Sequence, residues 1–182
     1  MIVRRSHRFE ASRDATLASL ASADYAALLA ARHPFFAEVT VLSLRESATR
    51  VERRLRYRAR PFIARLGPFS PDPAWFVWVE HSTLDRETGL LSFANVPVLE
   101  SVRDAFTCRG SMHFDEQRGP TGAPTTVREA RFELGFCVPS AYRPLARLAL
   151  GLVQRQLAHS LDDEARLLST WLGVTPGLRL SA

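Results

Sequence analysis

The feature that most constrains the fold is one long helical pattern near the end of the chain, at positions 141–172. At ~1.5 Å per residue, a helix of about 30 residues is ~45 Å long, which is enough to cross a whole β-sheet. Its apolar side chains recur at helical spacing and form one stripe: Leu145, Leu148, Ala149, Leu152, Leu157, Leu161, Ala165, Leu168 and Leu172. Such a stripe must be buried, and the strand-like segments that precede the helix can supply the matching apolar surface.

Strand-like alternation is clearest in the segment 49–60. On one parity lie Val51, Leu55, Tyr57 and Ala59, and on the other lie Arg50, Glu52, Arg54, Arg56, Arg58 and Arg60. The pattern predicts an antiparallel strand with one buried face and one solvated, arginine-rich face. Arg53 falls on the buried parity, where a guanidinium needs a carboxylate, backbone carbonyls or an anionic ligand, unless a bulge turns it outward.

Six further strands and two short helices are expected around this segment. The strands are expected at 2–11, 38–45, 75–84, 90–98, 105–116 and 125–138. Ser12 and Ser22 are expected to cap helices that run to residue 21 and over 23–32. The proline-rich loop 61–73 contains apolar residues that suit a lid, a docking patch or simple packing: Phe62, Ile63, Leu66 and Phe69.

Composition excludes several kinds of chemistry. All 24 basic residues other than histidine are arginine, so Schiff-base and P-loop lysine mechanisms are ruled out. Two cysteines, Cys108 and Cys137, form no CxxC motif, and the five histidines form no HExxH motif, so we expect neither a metal nor a cofactor. With 46% hydrophobic residues, no signal sequence and no apolar run of membrane-spanning length, we expect a cytoplasmic protein without a transmembrane segment.

The order of elements resembles the START-like superfamily, the helix-grip or birch-pollen-allergen type that includes bacterial polyketide cyclases and lipid-transfer domains. The resemblance is carried by His7-Arg8-Phe9-Glu10-Ala11-Ser12, by the strand pair 39–44 and 51–57, and by Trp171 near the end of the final helix. It implies an α+β fold with β-α-α-β6-α order, in which a curved antiparallel sheet of about seven strands wraps around the helix. The domain would cover 1–172, followed by a flexible tail at 173–182.

The resemblance also implies a ligand cavity between the sheet and the long helix. Proteins of this kind hold lipids, sterols or polyketides, and a bent sheet with one helix rarely fills the space between them. The residues expected to line the cavity are Arg53, Tyr57, His81, Phe93, Phe106, Cys108, Met112, Phe132, Leu134, Phe136, Leu152 and Gln156. The same residues could instead pack a solid core.

Three functions therefore stay open. The leading hypothesis is the binding of a hydrophobic or amphipathic small molecule, oriented by Arg53, Tyr57 or His81. The second is a cyclase or dehydratase that uses His81 or Tyr57 as an acid or base in the same cavity. The third is a protein-interaction module that uses the arginine-rich strand face; no specific nucleic-acid partner is expected, and the oligomeric state is open.

Overall fold

The described part of the protein contains seven β-strands in one antiparallel sheet. A computed structural model describes residues 1–63, 70–137, 140 and 143–173. The strands are β1 (Ile2–Phe9), β2 (Phe36–Glu46), β3 (Arg50–Ala59), β4 (Val77–Asp85), β5 (Leu90–Pro97), β6 (Phe106–Arg118) and β7 (Pro124–Phe136). Their order across the sheet is β1-β7-β6-β5-β4-β3-β2. Strands that follow each other in the chain are therefore neighbours, except β1 and β2, which lie at opposite edges, and β1 pairs with β7 instead. The sheet has the predicted number of strands, with ends that differ by one to a few residues.

Four α-helices and one 3-10 turn complete the described residues. They are α1 (Arg13–Ala21), α2 (Ala23–Arg32), the 3-10 turn (Pro73–Phe76), α3 (Glu100–Ala105) and α4 (Arg143–Gly173). The long helix α4 packs against β1, β7, α1 and α2. The predicted α+β helix-grip architecture is therefore confirmed. The sequence did not predict α3, which has no buried residue and no side-chain cap and so lacks both usual signals of a helix.

The first two helices begin at the serines that the sequence singles out. Oγ of Ser12 accepts a hydrogen bond from the backbone N–H of Ala15 at 3.3 Å. Oγ of Ser22 accepts one from Tyr25 at 3.1 Å. Each bond satisfies a backbone donor that the first turn of a helix leaves free, and both predicted caps are confirmed.

The strand β3 has the two faces that its alternation predicts. Val51, Leu55, Tyr57 and Ala59 are buried, whereas the arginines of the opposite parity are exposed. Arg53 lies on the inner side with the apolar residues, as expected from its parity. The predicted strand position 138 and the tail positions 174–182 lie outside the described residues.

Helix α4 lies on the sheet by a face that differs in part from the predicted stripe. Four residues of the predicted stripe are buried as expected: Ala149, Leu161, Ala165 and Leu168. Leu148 is 54% exposed, so its assignment to the buried stripe is wrong. The reason is that residues 145–153 are apolar almost all round the helix, and spacing alone cannot say which side meets the sheet.

A buried ion pair connects α4 to the sheet. Arg128 on β7 is fully buried, and its Nη1 lies 2.9 Å from Oε2 of Glu164 on α4. Its Nη2 donates a further hydrogen bond to the backbone carbonyl of Leu161 at 3.2 Å. Because a buried guanidinium needs such partners, these contacts set where the second half of α4 lies over the sheet.

Candidate functional site

A cavity of about 470 Å³ lies between the inner face of the sheet and the first half of α4. The sheet contributes Phe106, Cys108, Leu134 and Phe136, and α4 contributes Leu145, Ala146, Ala149, Val153, Gln156 and Leu157. Further walls come from the 3-10 turn, from α3 and from the segments before and after residues 64–69. The volume falls within the range of ~300–1,000 Å³ that is typical of small-molecule sites.

The walls of this cavity are uncharged. Among the described residues that line it, none is an aspartate, glutamate, arginine or histidine. Besides the indoles of Trp75 and Trp78, the polar side chains are the amides of Asn95 and Gln156 and the thiol of Cys108. Burial raises the pKa of that thiol to about 11, so it is neutral at physiological pH.

Asn95 on β5 has one buried polar atom without a partner. Its Nδ2 donates a hydrogen bond to Sγ of Cys108 on the neighbouring strand at 3.3 Å. Its Oδ1 is buried and accepts no hydrogen bond from any described residue. Buried acceptors are nearly always paired in folded proteins, so this unpaired oxygen is an exception within the part of the chain that the structure describes.

A second, smaller cavity of about 90 Å³ adjoins the first on the side of α1 and α2. The two cavities share Phe35, Trp78 and Asn95 as lining residues. Unlike the larger one, the smaller cavity has charged walls, supplied by Arg53, Glu80 and Glu164.

Arg53 is satisfied by the protein itself. Its Nε donates to Oγ of Ser82 at 2.9 Å, and its Nη1 donates to the backbone carbonyl of Leu20 at 2.5 Å. Its Nη2 lies 3.2 Å from Oε1 of Glu80, which completes an ion pair with both side chains 14% exposed. Arg53 therefore has its counter-ion on the next strand and needs no anionic ligand.

Tyr57 lies beside this ion pair. Its ring stacks on that of Trp78, with centroids 5.4 Å apart and an angle of 14° between the planes. Burial, together with the carboxylate of Glu80, raises the pKa of Tyr57 well above its ordinary value. Tyr57 thus stays a neutral phenol, which can donate a hydrogen bond or a proton but cannot act as a base near neutral pH.

The expectation that His81 points into the cavity is wrong, since its side chain is exposed on the outer face of β4. Leu55, which is buried, pairs with Glu80, and the outward Arg54 pairs with His81, so the even positions of β4 face inward. The sequence misled here because Val77, which is buried, and Val79 share the parity of His81 and so suggest that this parity faces inward along the whole strand. Glu80, the residue that does face inward, was missed for the same reason.

The other residues predicted to line a cavity divide into three groups. The larger cavity is lined by Phe106, Cys108, Leu134, Phe136 and Gln156. The smaller cavity is lined by Arg53, Tyr57, Met112 and Phe132. Two residues line neither: Phe93 packs in the core against Phe132, with ring centroids 4.6 Å apart, and Leu152 is half-buried on α4.

Sequence reasoning missed Asn95, although a signal for it was present. Asn95 follows Leu91 and Phe93 on the same parity of β5, and that parity faces inward. In the loop 61–73, Phe62 and Ile63 line the larger cavity, while Leu66 and Phe69 lie outside the described residues.

The arginine-rich outer face of β3 is partly paired. Arg58 forms an ion pair with Glu38 at 3.1 Å, and Arg50 forms one with Glu52 at 3.3 Å. Arg60 donates hydrogen bonds to three backbone carbonyls where α2 leads into β2, those of His33, Pro34 and Phe36. The side chains of Arg54 and Arg56 have no partner among the described residues, and the hypothesis that this face binds a partner protein stays a prediction.

Two further features bear on the class of site. Within the described residues, no three histidine, cysteine, aspartate or glutamate side chains come together in a group that could hold a metal ion. No helix in the same part of the chain has the length and apolar character that a membrane span requires.

Known proteins resemble this chain in structure and not in sequence. No protein-family model matches the sequence, and no curated protein matches it significantly. TTHA0849 from Thermus thermophilus superposes with a TM-score of 0.64 at 16% identity, covering 94% of this chain and 99% of that chain. Norcoclaurine synthase from Thalictrum flavum, in complex with dopamine and hydroxybenzaldehyde, gives a TM-score of 0.60 at 12% identity, covering 96% of this chain and 88% of that chain.

At such low identity, these matches show the fold alone. Both neighbours are helix-grip proteins of the START-like type, in which a curved sheet grips a long C-terminal helix. The present chain therefore has the helix-grip fold.

Proposed function

We propose that the chain is a START-like domain that binds or carries a hydrophobic or amphipathic small molecule, such as a lipid, a sterol or a polyketide-like compound. The observation that carries the proposal is the cavity of about 470 Å³ with uncharged walls among its described residues. Apolar ligand surface buried in it would contribute ~25 cal/mol per Å² to binding. The norcoclaurine synthase complex supports the proposal because that protein, with the same fold, holds dopamine and hydroxybenzaldehyde.

The shape of the cavity also supports binding over a solid core. Aromatic rings at Phe62, Trp75, Phe76 and Phe106 surround it, and such rings offer flat apolar surfaces to a ligand. A closely packed core would leave few spaces larger than a water molecule.

The direct test is to purify the protein under native conditions, record its mass by native mass spectrometry, and identify what organic solvent extracts from it. We expect a mass above that of the chain and an apolar compound in the extract. A second sample is unfolded in denaturant, freed of the compound and refolded, and binding of the neutral fluorescent probe N-phenyl-1-naphthylamine then measures its empty cavity.

A pair of variants on α4 ties this binding to the cavity. Ala149 is buried and lines the cavity, whereas Leu148 is 54% exposed on the other side of the same helix. Ala149→Trp should fill part of the space and weaken probe binding at least tenfold, whereas Leu148→Trp should bind as the parent does. If the parent binds no probe and yields no extract, or if both variants bind equally well, the proposal is wrong.

A second candidate function, an enzyme of the cyclase or dehydratase kind, is favoured by the Arg53–Glu80 ion pair beside Tyr57. The raised pKa of Tyr57 keeps its phenol protonated, so it can donate a hydrogen bond to a leaving hydroxyl group and cannot act as a base. Incubating the extracted compound with the parent and with Tyr57→Phe would test this. Loss of water from the compound with the parent alone supports the enzyme, and no change with either leaves a binding protein.

A further inference from the structure

We propose that the ligand is uncharged and that a hydroxyl or N–H group on it donates a hydrogen bond to Oδ1 of Asn95. The inference rests on the proposed function and deepens it, because it names the chemical class of the ligand and the protein atom that recognises the ligand. Asn95 is suited to this role because it borders both the larger and the smaller cavity.

The first support is the unpaired acceptor. Oδ1 of Asn95 is shielded from solvent and has no hydrogen-bond partner among the described residues, while Nδ2 of the same amide is held by Sγ of Cys108. In this orientation of the amide, its oxygen is the group without a partner. An acceptor that folding removes from water gains a full hydrogen bond when a donor arrives, so a donor on the ligand has a large effect on affinity.

The cross-strand neighbours of Asn95 do not supply that donor. Across the sheet, Asn95 pairs with Glu80 on one side and with Cys108 on the other. The carboxylate of Glu80 is an acceptor and is already paired with Arg53. All three guanidinium nitrogens of Arg53 donate to other atoms, at Ser82, Leu20 and Glu80.

The second support concerns charge. A carboxylate or phosphate that entered the larger cavity would leave water without meeting any cation among the described lining residues. The cation that lines the adjoining smaller cavity, Arg53, is neutralised by Glu80. Burying an unpaired charge is so unfavourable that an ionised ligand is disfavoured, whereas an alcohol, a phenol or an amide is accepted.

Four probes with one ring system test both parts of the proposal. Naphthalene has no polar group, 2-methoxynaphthalene has an acceptor only, 2-naphthol has a donor, and 2-naphthoate has a charge. Dissociation constants at neutral pH should place 2-naphthol about tenfold tighter than 2-methoxynaphthalene and naphthalene, as expected for one hydrogen bond to a buried acceptor. The weakest of the four should be 2-naphthoate.

Two variants assign the preference to one amide. Asn95→Leu keeps a similar volume and removes the acceptor, so within this variant 2-naphthol should no longer bind more tightly than naphthalene. The matched control is Gln156→Leu, which removes the other lining amide, on α4, and should keep the advantage. Circular dichroism would check that both variants fold. The four probes on the parent protein test the requirement for a donor without any variant.

The outcomes separate this inference from the proposed function. If the parent binds all four probes equally, or if Asn95→Leu keeps the preference for 2-naphthol, the assignment to Asn95 is wrong while the cavity still binds ligands. Tight binding of 2-naphthoate would overturn the claim that the ligand is uncharged. If none of the four probes binds and Ala149→Trp leaves the binding of N-phenyl-1-naphthylamine unchanged, the proposed function itself is wrong.

Discussion

Nη2 of Arg128 lies 3.1 Å from Nδ1 of His7, across the pairing of β1 with β7. A guanidinium can only donate, so Nδ1 must accept and the ring proton must be on Nε2. Nε2 in turn lies 3.0 Å from Oδ1 of Asp162 on α4, to which it donates. The native contacts therefore hold His7 as one neutral tautomer, and protonation of Nδ1 would break the bond to Arg128.

The first prediction concerns pH. Burial, followed by the charge of Arg128, lowers the pKa of His7 below its ordinary value of 6.5. Burial likewise lowers the pKa of His33, whose Nε2 lies 3.0 Å from the carbonyl of Ser160. The unfolded chain thus takes up these protons first as the pH falls. The two histidines therefore make their full contribution to the free energy of unfolding above pH 6.5, and the protein loses this contribution as the pH falls toward the lowered native pKa values.

Urea unfolding at pH values of about 7.5 and about 5.5, on either side of the ordinary histidine pKa, would measure this loss. In His7→Gln, the free energy of unfolding should differ less between the two pH values than it does in the parent, and the remaining difference is due to His33. The control is His81→Gln, which changes an exposed histidine on the outer face and should leave the difference as in the parent. A parent protein equally stable at both pH values would contradict the prediction.

The second prediction concerns the buried ion pair between Arg128 and Glu164. Glu164→Gln leaves the fully buried guanidinium without its counter-ion and should lower the free energy of unfolding by ~3–5 kcal/mol. The exposed pair of Arg109 and Glu133 has a similar distance of 3.0 Å, and Arg109→Ala should cost less than ~1 kcal/mol. Equal losses in the two variants by urea denaturation would show that burial is not the cause.

The third prediction compares two glycines. A Cβ at Gly110 on β6 would press on the backbone carbonyl oxygen of Arg131 and would lie 2.7 Å from Cζ of Phe93. Gly110→Ala should therefore destabilise the protein by ~1–3 kcal/mol. A Cβ at Gly151 on α4 would meet no atom within 4 Å apart from its chain neighbours and the backbone of its own helix. Gly151→Ala should therefore stabilise the protein by ~0.5–1 kcal/mol. Thermal unfolding of both variants checks the opposite signs.

The fourth prediction concerns the cost of keeping Oδ1 of Asn95 unpaired. Without a ligand, Asn95→Leu replaces a buried, unsatisfied acceptor by apolar atoms, at the loss of one weak bond to Cys108. The free protein should therefore become more stable by about 1 kcal/mol, since groups that serve binding are often held at a cost in stability. Chemical denaturation of the refolded, ligand-free protein measures the change in the free energy of unfolding. A clear loss of stability would mean that Oδ1 already has a partner.

The candidate site could be predicted only in part. Phe106, Cys108, Leu134 and Phe136 lie on the larger cavity because strand parity places them on the inner face. The same reasoning failed at His81, since valines occur on both faces of the sheet and only the pairing of β4 with β3 decides which side of β4 is buried.

The amino-acid sequence by itself determined the order of the seven strands, of the first two helices and of the long final helix, together with the caps at Ser12 and Ser22 and the inward position of Arg53. These follow from side-chain spacing within one element, which is a local property. Only the tertiary structure decided that Glu80 meets Arg53, that Ala149 rather than Leu148 faces the sheet, and that Oδ1 of Asn95 stays unpaired. A cavity is the difference between the space that a sheet and a helix enclose and the side chains that fill it, and no pattern along a single element contains that difference.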